Sequence, residues 1–230
     1  MTARYKLADL SYCNKGIDFK SLKANGYNAV IIRTGYYGKT DTEFHNHIKA
    51  AISNGFHIGV YTYIMSRTPA QAFEEAMQTI TLIRQYHNFI DFGIWCDLED
   101  KRVYNGLNKV NLSRIIDVFC NCISSHGYYC GVYFNPDFYE NRLCKSTIMK
   151  RPKWLANWIT ADGNTNGINP NGKEPRYINE LHCDLWQYGY TVINGKSVDT
   201  NLCYTDIPTL HKHTWNEFNN NLNRGFARGN

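Results

Sequence analysis

Eight short apolar, β-rich runs recur along the chain, with helical patterns between the earlier ones, and this alternation restricts the fold more than any other feature. The runs are Tyr5–Leu10, Ala29–Arg33, Ile58–Ile64, Phe92–Leu98, Tyr128–Phe134, Trp154–Trp158, Leu185–Tyr188 and Ser197–Leu202. Strands that alternate with helices pair in parallel through crossover connections, and eight is the number that closes a barrel. A length of 230 residues suits one such unit with a single large core.

The helical pieces have local signals. Phe44, Ile48, Ala51 and Ile52 fall at helical spacing before Asn54-Gly55. Thr68-Pro69 opens a second helix by cap and first-turn proline, with Phe73, Met77, Ile80 and Ile83 along its expected apolar face and an end near His87. A third carries Leu112, Ile115, Ile116, Phe119 and Ile123 and stops at Gly127. After Tyr139 the helical signal weakens, and residues 162–175, rich in Asn, Gly and Pro, read as a long loop. The expectation is an irregular α/β, TIM-like barrel over residues 1–206 with its last strands partly antiparallel. Residues 207–230 are polar and are expected to form a terminal helix or a linker stub.

Composition limits the setting. No stretch of 18 apolar residues occurs, and the start lacks the basic-then-apolar order of a secretory leader, so membrane insertion is not expected and synthesis in a cytoplasm is. The eight cysteines show no C-x-x-C spacing; they are expected to be mostly reduced and half-buried, with a disulfide left open for an oxidising setting. A net charge of +5 favours an anionic partner without choosing one. Seventeen tyrosines and five tryptophans suit the faces and hydroxyls of sugars as well as a core.

The densest acidic group, Asp97-Leu98-Glu99-Asp100, follows directly on the apolar residues Phe92–Cys96 of the fourth run. Strand residues i and i+2 share a face with roughly 6 to 7 Å between attachment points, so Asp97 and Glu99 are expected to point the same way. Close carboxylates do not both ionise freely, and the one that keeps its proton becomes a general acid. Asp9 follows the first run at the same relative end and Asp199 lies in the last; the two edges of a closed barrel meet, so all four acids are expected at one mouth. An acidic capping turn or a metal site are the other readings of the D-x-E pattern. Arg33 meets a mouth acid, a substrate carboxylate or a structural partner, while His45 and His47 lie on opposite sides of a helix and form no ligand pair.

These pieces together resemble the family 25 glycoside hydrolases, the Chalaropsis-type lysozymes. The matching segments are Ala8-Asp9-Leu10-Ser11, Gly59-Val60-Tyr61-Thr62-Tyr63, Asp97-Leu98-Glu99, Gly131-Val132-Tyr133, Trp154-Leu155-Ala156-Asn157-Trp158, Leu185-Trp186-Gln187-Tyr188 and Val198-Asp199-Thr200-Asn201, in order over about residues 5–204. The resemblance implies a modified barrel of eight strands and about five helices. It implies N-acetylmuramidase activity, hydrolysis of the β-1,4 bond between N-acetylmuramic acid and N-acetylglucosamine in bacterial peptidoglycan with net retention. By the resemblance Glu99 is the acid/base, and Asp97 is the nucleophile or the group that orients the substrate's acetamido oxygen. Asp9 and Asp199 support the pair, and Tyr61, Tyr63, Tyr133, Trp158, Tyr36 and Trp186 are the expected sugar contacts. It implies no metal or other cofactor and no nucleic-acid partner. The alternatives are a wall peptidase using a Cys–His pair and a non-catalytic peptidoglycan-binding module. Without a leader the protein resembles a bacteriophage endolysin acting on the wall after release; an autolysin exported by another route is the other setting.

Overall fold

The computed structural model describes residues 2–36 and 38–227. The first half runs β1 (Tyr5–Leu10), α1 (Phe19–Ala24), β2 (Ala29–Tyr36), β3 (Lys39–Thr40), α2 (Phe44–Ser53), β4 (His57–Tyr63), α3 (Pro69–Ile83) and β5 (Ile90–Asp97). The second runs α4 (Lys101–Tyr104), α5 (Lys109–Ser125), β6 (Cys130–Phe134), α6 (Lys145–Met149), β7 (Lys153–Ala156), α7 (Arg176–Glu180), β8 (Leu185–Ile193), β9 (Lys196–Cys203) and α8 (Ile207–Ala227). All eight expected strands are present, and β3 adds a two-residue ribbon to the end of β2.

The strands close in the order β1-β2-β4-β5-β6-β7-β8-β9 and back to β1. Pairing around the ring is parallel except at β9, which runs antiparallel to both β8 and β1. The reversal comes from Asn194-Gly195, whose φ values of 50° and 76° make the two-residue hairpin turn between β8 and β9. About five helices were expected; the described residues hold four of ten residues or more (α2, α3, α5, α8) and five of four to six residues, one of them the π-helical turn Phe138–Arg142. The short ones lie in connections that carry little apolar periodicity.

Alternation along the strands divides the core into two layers. Leu7, Ala29, Ile31, Phe92, Trp95, Trp154, Leu185 and Cys203 fill the barrel interior. Ala8, Leu10, Val30, Ile32, Val60, Ile94, Val132, Leu155, Trp186 and Leu202 face outward to the helices. The start of α3 follows its sequence signal, Thr68 accepting from the Gln71 N–H with Pro69 in the first turn; α5 is capped by Asn108, which accepts from the Asn111 N–H. The face of α3 differs from the expected one. Ala72, Ala76, Thr79 and Ile83 are buried against the barrel while Phe73 is exposed, because small side chains let the helix approach closely and the larger Met77 fills its seam with α5. Ile207, at the start of α8, is buried in the floor of the barrel, and α8 continues against β5.

Candidate active site

The parallel strands end together at one mouth, and the four acids meet there. Asp9 and Asp199 are directly opposed across the β1–β9 pair. Asp97 is the last residue of β5, flanked in register by Tyr63 on β4 and Tyr133 on β6. Glu99 lies two residues past the strand end, where it is exposed, while Leu98 between them is buried among the outer apolar residues. The alternation thus persists beyond the strand and puts both carboxyls toward the mouth.

Below the acids lies a fixed polar network. Gln187 donates to Asp9 Oδ2 at 3.2 Å, and Asn201 donates to the same oxygen at 2.8 Å. The other end of Gln187 accepts from the Tyr133 hydroxyl (3.0 Å) and the Trp158 indole N–H (3.2 Å), and Asn201 accepts from the Trp154 indole N–H (2.8 Å). The Trp154 ring forms the floor, edge-to-face with Trp95, Tyr133 and Tyr61 at centroid distances of 5.8, 4.8 and 6.2 Å. Gln187, Asn201 and Trp154 are not singled out by sequence reasoning, although each lies inside a segment that is. The signal is parity: Asn201 is two residues from Asp199 on one strand.

Burial raises all four carboxyls. Asp97 is pushed well above the usual carboxylate range by burial first, then by the charges of Glu99 and Asp9, with Arg33 pulling it back. Asp9 is raised by burial against the lowering effect of its bonds from Asn201 and Gln187. Asp199 is pushed up to about 8 by burial and by Asp9 and Glu99. Glu99 is raised by its crowded surroundings and by Asp9 and Asp100, an effect that water at its exposed position screens in part. Protons bound here therefore belong to the group. Asp97 Oδ1 is buried without a hydrogen-bond partner, an acceptor left open at the centre of the mouth. Asp100 plays a structural part instead. It caps α4, pairs with Arg102 and is held down to about 2 by those hydrogen bonds.

The expected sugar contacts separate into two groups. Tyr61, Tyr63 and Tyr133 line the mouth half-buried, and Trp158 is 46% exposed at its rim beyond β7. Tyr36 is 41% exposed at the end of β2, and Tyr12, which the sequence does not single out, is 52% exposed beside it. The Arg33 guanidinium lies 4.8 Å from the Tyr12 ring centre and 5.4 Å from that of Tyr36, and it is paired with Asp41 through Nε at 2.7 Å. Arg33 thus has a structural partner. Trp186 is a correction. It is 0% exposed, faces the helices and donates to the Asn157 carbonyl at 2.7 Å, so it has no face to offer a sugar; alternation gives the inward position to Gln187 instead. His45 bonds the Tyr86 hydroxyl and His47 is buried near Phe19. Among the described residues no group of three or more His, Cys, Asp or Glu is arranged to hold a metal ion, no cysteine sulfur bonds a histidine, and all eight cysteines are free.

Solved structures share this architecture. The modular autolysin LytC from Streptococcus pneumoniae, in complex with a synthetic peptidoglycan ligand, is 26% identical with a TM-score of 0.70 over 87% of this chain and 46% of its own. This chain therefore spans less than half of that protein's length. The catalytic domain of endolysin ply40 from bacteriophage P40 of Listeria monocytogenes is 21% identical (TM-score 0.68, 90% of this chain and 97% of that one). A muramidase from Acremonium alcalophilum is 19% identical (TM-score 0.65, 93% and 100%). No curated protein sequence matches. The model of the glycosyl hydrolases family 25 matches residues 8–195, which hold the mouth acids Asp9, Asp97 and Glu99, and on that match the chain belongs to this family.

Proposed function

We propose that this protein is a peptidoglycan hydrolase that cleaves the β-1,4 bond between N-acetylmuramic acid and N-acetylglucosamine with net retention. The observation that carries the reading is Asp97, buried with an unpartnered Oδ1 next to a solvent-reaching Glu99. A buried acceptor without a partner is costly, and a substrate N–H or a developing cationic sugar carbon would fill it. Family membership and the likeness to an autolysin holding a peptidoglycan ligand support the same substrate.

In this mechanism protonated Glu99 delivers its proton to the glycosidic oxygen as that bond breaks. Asp97 stabilises the sugar carbon, by direct attack or by orienting the substrate's acetamido oxygen for attack; either route gives retention once water completes the second displacement. Glu99 takes the water's proton in that step and is reset. Burial and the charge of Asp9 favour the protonated form of Glu99, Asp199 faces Asp9 across the strand pair as a supporting acid, and the Gln187–Asn201 network fixes Asp9. Tyr61, Tyr63, Tyr133, Tyr36 and Trp158 supply the sugar contacts, and the barrel of residues 1–206 is the catalytic unit. The likeness to a phage endolysin domain supports a protein made in a host cytoplasm and released to the wall. No helix among the described residues is long and apolar enough to cross a membrane.

Mass spectrometry of fragments from purified peptidoglycan tests the bond. Muramic acid at the new reducing end is expected. New amino termini without reducing sugar would replace this reading with a peptidase, and binding without any release would replace it with a non-catalytic module.

A further inference from the structure

A bulge in β8 decides which side chain reaches the mouth. Gln187 pairs with Asn201 and Tyr190 with Asp199, so three steps along β8 match two along β9, the extra residue being taken up where Gly189 opposes Thr200. Strict alternation from Gln187 would turn Tyr190 out toward the helices. With the bulge it shares the face of Asp199, its cross-strand partner, which puts its partly exposed side chain on the mouth side of the sheet.

The bulge is built into a wall. Gly189 has a φ of 142°, and a Cβ there would lie 2.3 Å from the Gly163 carbonyl oxygen. A Cβ on Gly163 would in turn lie 2.3 Å from the Trp158 ring, so the indole rests directly on that backbone. The Tyr190 N–H donates to the Gly163 carbonyl at 2.7 Å, and the Tyr190 carbonyl accepts from both the N–H and the hydroxyl of Thr165 at 2.8 Å. Asn166 Oδ1 accepts from the Thr191 hydroxyl at 2.6 Å and the Val192 N–H at 2.9 Å. Residues 158–166 therefore run along β8 as an added strip beyond the end of β7, and they tie Trp158 to the main chain that carries Tyr190.

We infer that this wall is an outer saccharide subsite, with Tyr190 a substrate-contacting residue that favours longer glycan strands. The inference rests on the muramidase reading. The Trp158 indole is held by Gln187 and by the Gly163 backbone, and the main chain that carries Tyr190 is fixed on both sides, so the wall loses little freedom on binding, the condition under which an aromatic face contributes most to affinity. β7 and β8 stand two and three strands from β5 around the ring, roughly 10 to 14 Å at the usual interstrand spacing. A sugar at the wall is thus the second or third from the bond over Glu99, outside the pair being cut.

The test is kcat and KM on purified glycan strands of increasing length for the wild type, Tyr190→Ala and Tyr190→Phe. On long strands Tyr190→Ala should raise KM about fivefold with kcat within about twofold, the signature of lost uniform binding, and Tyr190→Phe should match the wild type. On the shortest strand that is cleaved, all three should agree. If Tyr190→Ala folds poorly, Tyr190→Leu keeps the bulk without the aromatic face and should show the same length-dependent rise. Unchanged KM on long strands, or an equal loss at every length, would overturn the subsite. A wild type that releases no reducing sugar at all would overturn the activity on which it rests.

Discussion

Asp199→Asn should make the protein more resistant to unfolding as pH rises. In the folded state the Asp199 carboxyl is pushed from 3.8 up to about 8, chiefly by burial and then by Asp9 and Glu99. A carboxyl that holds its proton longer when folded than when unfolded contributes stability in acid, and that contribution is lost as pH climbs toward 8. Each pH unit between the two values is worth about 1.4 kcal/mol for an isolated group, hence about 4 kcal/mol by pH 7. Sharing of protons with Asp9 and Glu99, and the partial access of water to Asp199, reduce this to about 2 kcal/mol. The amide has no proton to lose, so the variant escapes the decline. Melting curves of wild type and variant from pH 4 to 8 should diverge steadily, the variant gaining about 4 to 8 °C relative to the wild type by pH 7. A difference between the two proteins that stays constant across this range would refute the argument that Asp199 is buried against like charge.

Other consequences follow from the same network. Asn201→Leu removes a donor from buried Asp9 and leaves the Trp154 indole N–H unpaired, and denaturant unfolding should show a loss of about 3 kcal/mol. Arg33→Gln takes away the positive charge that draws Asp97 downward, so the acid limb of the kcat/KM profile should move to higher pH; the buried Asp41 left without its cation should also cost about 3 to 5 kcal/mol of stability. Trp186→Phe should lower stability by about 1 to 2 kcal/mol through the lost bond to Asn157 and the reduced packing, with KM on peptidoglycan unchanged.

The strands are legible in the sequence because buried parallel strands are continuous apolar runs, and the ring is parallel everywhere except on the two sides of β9. Asp9, Asp97 and Glu99 are legible because they lie at or just past the same end of such runs, and Asp199 because the last run neighbours the first in a closed barrel. Side-chain direction is harder to read. Trp186 has a ring suited to a sugar, but its neighbour Gln187 is the residue that faces inward and holds Asp9, Tyr133 and Trp158. The same period of two, counted from Asp199, points to Asn201. The hairpin also has a local signal, Asn194-Gly195 between two apolar runs, which extends β8 to Ile193 where the apolar run alone suggests Tyr188. Tyr190 has none: its direction depends on a bulge at Gly189 that arises from packing against Gly163, a contact between segments remote in sequence. The pairing of Arg33 with Asp41, and the stacking of Tyr12 on it, are likewise tertiary.

If Glu99 and Asp97 together break a glycosidic bond in peptidoglycan, the rate of reducing-sugar release by purified wild type, Glu99→Gln and Asp97→Asn will report it. Release by the wild type and a loss of at least about a hundredfold in each variant, with the fold retained, is the expected result. Release by Glu99→Gln at the wild-type rate would contradict it.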